Sequence, residues 1–236
     1  MKLKCDLHVH SVLSGCASRD NGVLNVVNMA GVCGMEVLAI ADHNSAANVQ
    51  AASEAARQRG ILLVPAIEVT TAEDIHVLCY FRSVEDARTF SWLLSANMLK
   101  FPLDERLYFP QVTENAEGAE TGRVDYFLGM AADFGIYALV EDVRKLGGIC
   151  VPAHVDKSGN GIIDTLGTVP DDLGFTAVEI TPNCPATLKA ELEKDFIVLT
   201  NSDAHCLEDI AANESYIEMK AKTIEAFFNA LTRKSF

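Results

Sequence analysis

KCDLHVH (residues 4–10) is predicted to form the first strand of the chain, and it carries two histidines two positions apart. Side chains at positions i and i+2 of a β-strand point to the same face of the sheet. We therefore expect His8 and His10 to project together, with Asp6 behind them on the same face. The spacing favours a metal site over a polar strand face with ordinary hydrogen bonds, and Asp6 is a candidate anchor for one imidazole N–H.

All six histidines stand at or beside the ends of apolar, strand-like runs. His43 closes MEVLAIADH, His154 closes GICVPAH and His205 closes FIVLTNSDAH, whereas His76 lies near the start of IHVLCYF. In α/β folds the strand ends meet at one mouth, where sites are built. His76 or His154 alone would more simply be a structural imidazole, but the histidines together predict a metal centre.

Two acidic residues occupy similar positions. Glu68 ends ILLVPAIEV, where an unpaired carboxylate is costly to bury, and Asp203 stands two positions before His205. A salt bridge at the rim is the alternative interpretation for Glu68. Together the histidines and acids offer more nitrogen and oxygen donors than one ion needs, so we predict two or three divalent ions, with zinc, iron or manganese as candidates.

The composition limits the class of protein. The chain has 236 residues, 49% of them hydrophobic, which fits a single domain over residues 1–236. Its net charge of −14 predicts that no long nucleic acid binds, and no apolar run has the roughly 20 residues that would predict a membrane partner. Seven cysteines, without a C-x-x-C spacing, indicate free thiols and a cytoplasmic location. The oligomeric state stays open.

Strand-like and helix-like segments alternate, which indicates an α/β fold with a parallel sheet covered by helices. About seven strands are predicted, and the expected architecture is an irregular barrel. Residues 100–131 are polar and without a clear period, so they are predicted to form an insertion or a lid. Because His76 begins its strand, that strand either runs antiparallel to its neighbours or marks a distortion. Helices are predicted at 22–33, 45–59, 83–99, 136–146, 186–195 and 222–234, and a short edge strand at 215–219.

The motifs DLHVHS, ADHN, AIEVTT, IHVLCYF, VPAHVDK and NSDAHCLEDI, taken together, resemble those of the polymerase and histidinol phosphatase (PHP) family, in the family's order. The resemblance implies a distorted (β/α)7 barrel with a small insertion, and a dinuclear or trinuclear metal centre that hydrolyses phosphoesters. It also implies one ion held by His8, His10, Glu68 and Asp203, a second held by Glu68, His76 and His154, and a third held by His43 and His205.

One position departs from the family's pattern. Family members often complete the third site with a histidine or an aspartate shortly after the H-x-H motif, but residues 11–20 contain no histidine. Cys16 or Asp20 could take this role, or the third site could be weak. A thiolate at Cys16 would favour a soft ion such as zinc, whereas a buried, unreactive thiol is the alternative.

The resemblance implies hydrolysis of a small phosphomonoester by water activated at ions that Glu68 bridges. A nucleotide such as a nucleoside 3′,5′-bisphosphate, or a short oligonucleotide end, is a candidate substrate. Glu68, Asp203 and Lys157 are the candidate catalytic residues, and Lys157 and Asn44 are candidate substrate contacts. One alternative is an amidohydrolase-like enzyme that cleaves C–N bonds, although no strand ends in a lysine that could form a bridging carbamate. The other is a non-catalytic metal-binding domain.

Overall fold

The fold is described by a computed structural model that covers residues 1–232, with the side chain of Ala211 set aside. Strands and helices alternate along most of the chain, as the sequence predicts. The strands are β1 (Lys2–Val9), β2 (Val37–Ile40), β3 (Leu62–Leu63), β4 (Ala66–Thr70), β5 (His76–Tyr80), β6 (Gln111–Glu114), β7 (Glu120–Val124), β8 (Ile149–Pro152), β9 (Ala177–Ile180), β10 (Ile197–Thr200) and β11 (Tyr216–Glu218). The helices are α1 (Val23–Val32), α2 (Val49–Gln58), α3 (Val84–Ala96), α4 (Ile136–Lys145), α5 (Ile162–Leu166), α6 (Ala186–Asp195), α7 (Leu207–Ala212) and α8 (Ile224–Thr232), with a 3-10 turn at Asp171–Leu173.

Two helices, α1 and α3, form where the sequence predicts them. In α1, which forms where a helix is predicted, the buried side chains Val23, Val26, Val27 and Ala30 recur at helical spacing and form one face. Helix α3 begins after Ser83, whose hydroxyl accepts a hydrogen bond of 3.1 Å from the backbone N–H of Asp86. Such N-caps satisfy a backbone donor that has no partner within the helix, so the predicted start of α3 is confirmed.

Several predicted boundaries are wrong. The helix expected at 45–59 begins only at Val49, after an irregular turn. The run ILLVPAIEV is broken at Pro65 into β3 and β4, because proline has no N–H to continue a ladder. Helices α5 and α7 were not predicted. The closing helix expected at 222–234 is present as α8, and its last two predicted positions lie outside the described residues.

Strand pairing produces separate ladders. Strand β1 lies between β11, which is antiparallel to it, and β2, which is parallel, with β3 beyond β2. Strand β5 lies between β4 and β8 and is antiparallel to both, while β9 and β10 form a parallel pair. Over residues 1–232 these ladders do not close into one barrel, so the fold is mixed α/β and the (β/α)7 barrel is not confirmed. The antiparallel β5 confirms one of the two expectations for the strand of His76.

Isolated contacts bring the strand ends of different ladders together. A parallel bridge joins Val9 at the end of β1 to Ala204 beyond β10, and another joins His43 beyond β2 to Glu68 in β4. These bridges lie next to the predicted metal ligands. The carboxyl ends of four strands therefore meet at one edge of the fold, where the sequence places the site.

Buried apolar side chains fill the space behind that edge. One core group joins Leu7 of β1 and Val151 of β8 to Tyr80, Phe227 and Phe228. The Tyr80 hydroxyl donates a hydrogen bond of 2.9 Å to the carbonyl of Leu7 within this group. A second group packs the inner faces of α1, α2, α3 and α4 against the strands. Because close-packed interiors deform little, the strand ends are held by a rigid support.

The described residues also test what the composition predicted. All seven cysteines, which lie within residues 1–232, are free thiols, and the Sγ atoms of Cys79 and Cys150 face each other at 3.9 Å across β5 and β8. No helix in this part of the chain combines the length and the apolar character needed to cross a bilayer. The cytoplasmic location stays a prediction.

Residues 100–131 contain a β-hairpin, β6 and β7, which the sequence did not reveal. The N–H of Val112 donates a hydrogen bond of 3.0 Å to the carbonyl of Val12, and the N–H of Phe109 donates one of 2.8 Å to the carbonyl of Gly15. The hairpin is thereby fastened to the loop that follows β1. Its role as an insertion or a lid stays a prediction, as does the single domain.

Asn44 fastens the other end of this segment. Its side-chain amide donates hydrogen bonds to the carbonyls of Leu128 and Met130 at 2.7 and 2.8 Å, and its side-chain oxygen accepts one from the N–H of Thr70 at 3.1 Å. Its φ of 49° lies in the left-handed region, which asparagine tolerates. These bonds occupy the Asn44 side chain, so the geometry gives no support to the predicted substrate contact.

Replacing Asn44 tests this structural role. Asn44→Ala removes two buried hydrogen bonds and one partly buried one, each worth about 1 kcal/mol net, and should lower the free energy of unfolding in urea by about 3 kcal/mol. Residues 100–131 should also become more sensitive to protease. Asn25→Ala, at an exposed position on α1, is the matched control and should change stability by about 0.5 kcal/mol or less. Equal stability of the two variants would contradict the assignment.

Candidate metal centre

The carboxylate of Glu68 lies at the centre of the cluster and is only 1% exposed. Five imidazole nitrogens surround it. Its Oε1 lies 3.3 Å from Nε2 of His8, 2.9 Å from Nδ1 of His76 and 3.4 Å from Nε2 of His154. Its Oε2 lies 3.3 Å from Nε2 of His10 and 2.9 Å from Nδ1 of His43. Each oxygen of this buried carboxylate therefore faces its own set of imidazoles, as a bridging ligand would.

These spacings suit ligands that share an ion. Two ligand atoms that each lie about 2.0–2.1 Å from a tetrahedral zinc are about 3.3 Å apart. The Nε2 atoms of His8 and His10 lie 3.2–3.4 Å from the carboxylate oxygens of Glu68 and Asp203. The separation alone would also permit hydrogen bonds, so the orientation of the groups decides between the two interpretations.

The orientation leaves the atoms that face one another in the cluster without ordinary hydrogen bonds. Among the described residues, the buried side-chain atoms without a hydrogen-bond partner include Nε2 of His8 and His10, Nδ1 of His43, both carboxylate oxygens of Glu68 and both ring nitrogens of His154. Buried polar atoms that lack partners are rare and costly, because they lose their hydration without replacement. Divalent cations would give these atoms partners, so the donor set fits metal ions.

Three overlapping groups of ligand atoms have mutual distances within 4.8 Å: His10 with His43 and His205, His8 with His10 and Asp203, and His43 with Glu68 and His76. His154 joins them through its contact with Glu68. The structure thus brings together His8, His10, His43, Glu68, His76, His154, Asp203 and His205, as the sequence predicts. Which ion each residue holds, and how many ions bind, stay predictions.

Charges within the cluster shift the pKa values of its members. Burial opposes protonation of His8, but neighbouring carboxylates raise the pKa of His8 well above its usual value. Burial also opposes ionisation of Glu68, but the surrounding imidazoles hold the pKa of Glu68 well below its usual value. Despite burial, Glu68 and Cys16 raise the pKa of His43 to about 10. Cations compete with protons for such imidazoles, so metal binding should release protons.

Asp203 lies at the open edge of the cluster, with a side chain that is 25% exposed. Its Oδ1 lies 3.2 Å from Nε2 of His10, and its Oδ2 lies 3.5 Å from Nζ of the half-exposed Lys157. The φ angles of Asp203 and His154 are 50° and 32°, in the left-handed region that few residues other than glycine adopt. Such backbone conformations concentrate at functional sites.

Both residues predicted to complete the third site lie in the loop that follows β1. Desolvation opposes ionisation of Cys16, but hydrogen bonding to His205 and His43 lowers the pKa of Cys16 to about 5. Asp20 is exposed and belongs to none of the candidate metal-binding groups found within residues 1–232. Cys16 is likewise exposed and outside these groups, so the residue that completes the third site stays a prediction.

Glu179 is a buried supporting residue that the sequence analysis missed. Its carboxylate oxygens lie 3.0 and 3.2 Å from Nδ1 of His8, which leaves Nε2 of that ring free to face Glu68. Glu179 also accepts hydrogen bonds from Nδ2 of Asn201 at 2.6 Å and from the N–H of His154 at 3.1 Å. The available signal was a single acid within the apolar run FTAVEIT, the same kind of signal that identified Glu68.

His10 is oriented in a similar way. Its Nδ1 lies 3.0 Å from Oγ of Ser14, and that hydroxyl donates a hydrogen bond of 2.7 Å to Asp42. Asp42 in turn accepts hydrogen bonds from the N–H and the hydroxyl of Ser11 at 2.7 and 2.6 Å. These contacts fix the ring so that its Nε2 points at the cluster, as partners behind metal-bound imidazoles do.

The prediction that Asp6 anchors an imidazole is wrong. Asp6 accepts hydrogen bonds from the N–H and the hydroxyl of Ser202 at 3.2 and 2.6 Å, and one from the backbone N–H of His8 at 3.4 Å. Burial raises the pKa of Asp6 to about 6, although the Ser202 bonds oppose this shift. The carboxylate thus holds the turn after β10, and the His8 ring points to Glu179 instead.

Glu179→Gln tests the anchoring of His8. The variant loses the charged acceptor behind the ring, and its affinity for zinc should fall by about 10- to 100-fold, the usual effect of removing such a partner. The measurement is a competition titration of the metal-free protein against a chelator. Glu191→Gln, at an exposed position on α6, should bind zinc as the unmodified chain does. An unchanged affinity in Glu179→Gln would contradict the anchoring role.

Metal removal should destabilise the fold, because the buried ring nitrogens and carboxylate oxygens that have no hydrogen-bond partner would be left without any ligand. Adding zinc at 100 times its dissociation constant should raise the free energy of unfolding by about 2.7 kcal/mol relative to chelated protein. Thermal unfolding with and without chelator measures this difference. The shift should be smaller in Glu68→Gln, and equal melting of the chelated and metal-loaded wild-type chain would exclude a metal centre.

Comparison with known proteins identifies the fold. No family model matches the sequence, and no curated protein matches it significantly. The fold is similar to that of the lesion-specific endonuclease Q from Pyrococcus furiosus, with a TM-score of 0.71 and 16% identity over 98% of this chain and 56% of that chain. Endonuclease Q bound to a 27-mer duplex substrate with an abasic lesion gives a TM-score of 0.67 and 16% identity, with the same coverages. The chain therefore spans little more than half the length of these endonucleases.

Two further structures match over nearly their whole length. A Bifidobacterium adolescentis protein assigned as a metal-dependent phosphoesterase has a TM-score of 0.61 and 17% identity, covering 98% of this chain and 96% of that chain. An amidohydrolase from Chromobacterium violaceum has a TM-score of 0.61 and 16% identity, covering 93% of each chain. At these identities the likeness shows the fold alone. Endonuclease Q and the phosphoesterase are PHP-type proteins, so the resemblance predicted from the motifs is confirmed at the level of the fold.

The predicted partners need a correction. The net charge predicted that no long nucleic acid binds, but endonuclease Q, which shares this fold, is solved with a 27-mer duplex substrate. The prediction is contradicted because net charge describes the whole surface, whereas binding depends on the local field at the site, where bound cations are the largest charges.

Proposed function

We propose that this chain is a metal-dependent phosphoesterase that hydrolyses a phosphate ester at the Glu68 cluster. The observation that carries the proposal is the buried Glu68 carboxylate, whose two oxygens face five imidazole nitrogens at 2.9–3.4 Å without hydrogen bonds. A carboxylate between two sets of imidazoles suits neighbouring ions, an arrangement used to cleave phosphate esters.

The residues of the chain have distinct roles in this proposal. Glu68 would bridge two ions, and the surrounding imidazoles would complete their coordination. Bound divalent ions would act as Lewis acids, offset charge on the phosphoryl oxygens and lower the pKa of water. Lys157, at the mouth of the cluster, would bind a non-bridging phosphoryl oxygen. Asp203 would position Lys157 through their 3.5 Å contact and would supply a further ligand oxygen.

The substrate is recognised through its phosphoryl group, so several esters are candidates. A small phosphomonoester, a nucleoside 3′,5′-bisphosphate and an oligonucleotide end all present such a group. Duplex DNA is a further candidate substrate, because endonuclease Q, which has the same fold, is solved with a duplex substrate. The segment 100–131 is fastened to the loop after β1, beside the cluster, so we propose that it forms one wall of the substrate site.

Hydrolysis of C–N bonds is the second candidate, since an amidohydrolase shares the fold. Amidohydrolase-type centres of this kind commonly use a carbamylated lysine at the end of a strand. Here the lysine beside the cluster is Lys157, which is half-exposed and lies five residues beyond the end of β8. Glu68 already occupies the bridging position, so phosphoester hydrolysis is favoured.

Glu68→Gln tests the bridging role. The amide offers one oxygen and no charge, so the variant should bind fewer ions and lose phosphoesterase activity by about 100-fold or more while it still folds. Metal analysis and turnover of an aryl phosphate with added zinc or manganese measure both effects. Glu141→Gln, exposed on α4, is the control and should retain both. Full metal content and activity in Glu68→Gln would contradict the bridging role.

A substrate panel separates the candidate functions. It contains a phosphomonoester, a phosphodiester, a nucleoside bisphosphate, an abasic duplex and an amide, each assayed with zinc, manganese or iron(II). Metal-dependent release of phosphate, or cleavage of a phosphodiester, supports the proposal. Turnover of the amide alone would support the amidohydrolase alternative, and metal binding without any turnover would indicate a non-catalytic domain.

A further inference from the structure

A cleft opens between the loop that follows β1 and the hairpin of β6 and β7. Its volume is about 430 Å³, and the apolar side chains of Val12, Ala17 and Val112 line it together with the exposed side chains of Arg19 and Phe109. Sites for small molecules measure roughly 300–1,000 Å³. The cleft is therefore large enough for the organic part of a phosphate ester.

The cleft is joined to the metal cluster through the backbone. The N–H of Phe109 donates a hydrogen bond of 2.8 Å to the carbonyl of Gly15, which fixes the aromatic wall to the loop. Three residues further on, the N–H of Ser18 donates one of 2.7 Å to the carbonyl of His205, which fixes the loop to the cluster. Arg19 follows directly. Because each residue advances the chain by at most about 4 Å, an ester with its phosphoryl group at the cluster can reach the cleft with its other end.

Phe109 and Arg19 form a platform for a planar group. The guanidinium carbon of Arg19 lies 5.1 Å from the centroid of the Phe109 ring, and Arg19 has no ion-pair partner within residues 1–232. Stacking a base between the two would separate them to roughly 7 Å, twice the van der Waals distance of about 3.5 Å. Arg19 would need to move by only about 2 Å, and no carboxylate holds it in the described part of the chain.

The acids of the cleft indicate which part of a substrate it accepts. Glu114 and Glu120 line it, where Glu114 accepts a hydrogen bond of 2.6 Å from the N–H of Val23 and Glu120 pairs with Arg123 at 2.8 Å. Carboxylates repel a phosphoryl group, so the cleft suits the uncharged part of an ester, while the anion suits cations at the cluster. Carboxylate oxygens also accept hydrogen bonds from the exocyclic amino groups of nucleobases.

We propose that Phe109 and Arg19 form a nucleobase-binding subsite, so that the ester hydrolysed at the cluster is a nucleotide or the end of an oligonucleotide. The inference rests on the proposed function, because the phosphoryl group must lie at the cluster. Phe109 provides the stacking face, Arg19 the cation on the opposite side of the base, and Glu114 an acceptor for its edge. These residues therefore determine specificity and take no part in the chemical step.

Equilibrium binding to the zinc-loaded, full-length chain tests the subsite. Adenosine 5′-monophosphate should bind at least about 10-fold more tightly than ribose 5-phosphate, which has the same sugar and phosphate without the base, because bases stack on aromatic side chains. Phe109→Ala should weaken binding of the nucleotide about 10-fold and leave ribose 5-phosphate unchanged, whereas Phe109→Tyr should keep the preference. Arg19→Gln should weaken binding of the nucleotide about 3-fold. Trp92→Ala, at an aromatic position on α3 that is 76% exposed and outside the cleft, is the control and should bind both ligands as the unmodified chain does.

Phenyl phosphate separates a nucleobase from any aromatic ring. It should bind more weakly than the nucleotide, since it has no amino group for Glu114, and equal binding would overturn the assignment to a nucleobase. Equal affinity for the nucleotide and ribose 5-phosphate, or a nucleotide affinity that Phe109→Ala does not change, would overturn the subsite. If such a chain still hydrolyses phosphate esters, only the subsite is refuted. Failure of the zinc-loaded chain to bind or hydrolyse any phosphate ester would refute the proposed function and the subsite together.

Discussion

The structure depends on the burial of one carboxylate. Glu68 is almost completely buried, and removing a charge from water costs several kcal/mol unless other charges and dipoles replace the hydration. No single neighbour can do this, because both oxygens need partners from several directions. The compensation comes from imidazoles on β1 and β5 and on the segments beyond β2 and β8. A fold that buries Glu68 must therefore bring those strand ends together, and bound cations would hold them there more firmly.

The direction of β5 explains the one histidine that breaks the pattern. His76 begins its strand, whereas the other five histidines lie near or beyond the carboxyl ends of strands. Because β5 is antiparallel to β4, His76 lies opposite Thr70 at the end of β4, and Val77 lies opposite Pro152 at the end of β8. The start of β5 is thus at the same edge as the carboxyl ends of its neighbours. The same reversal interrupts the succession of parallel strands that an ideal α/β barrel requires.

Residue type and position along a strand were enough to predict which side chains gather in the cluster. An imidazole or carboxylate at the end of an apolar run can be recognised from the sequence alone, as His8, His43 and Glu68 were. Partners such as Glu179 and Ser14 depend on which strands become neighbours, and local patterns do not encode that. The prediction of a closed barrel is not confirmed for the same reason, since the pairing of strands that are distant in sequence is a tertiary property. The break at Pro65 was locally readable, because proline cannot donate to a ladder.

Global charge was the weakest guide to function, and the site shows why. A net charge of −14 describes a surface average, yet the acids at the cluster, Glu68, Asp203 and Glu179, are matched by six imidazoles and are suited to cations. With two or three divalent ions bound, the local charge at the mouth would change sign, and Lys157 would add to it. An anionic phosphoryl group would then meet an attractive field on an otherwise acidic protein. The relevant electrostatic unit is therefore the mouth of the cluster together with any cations it binds, rather than the whole surface.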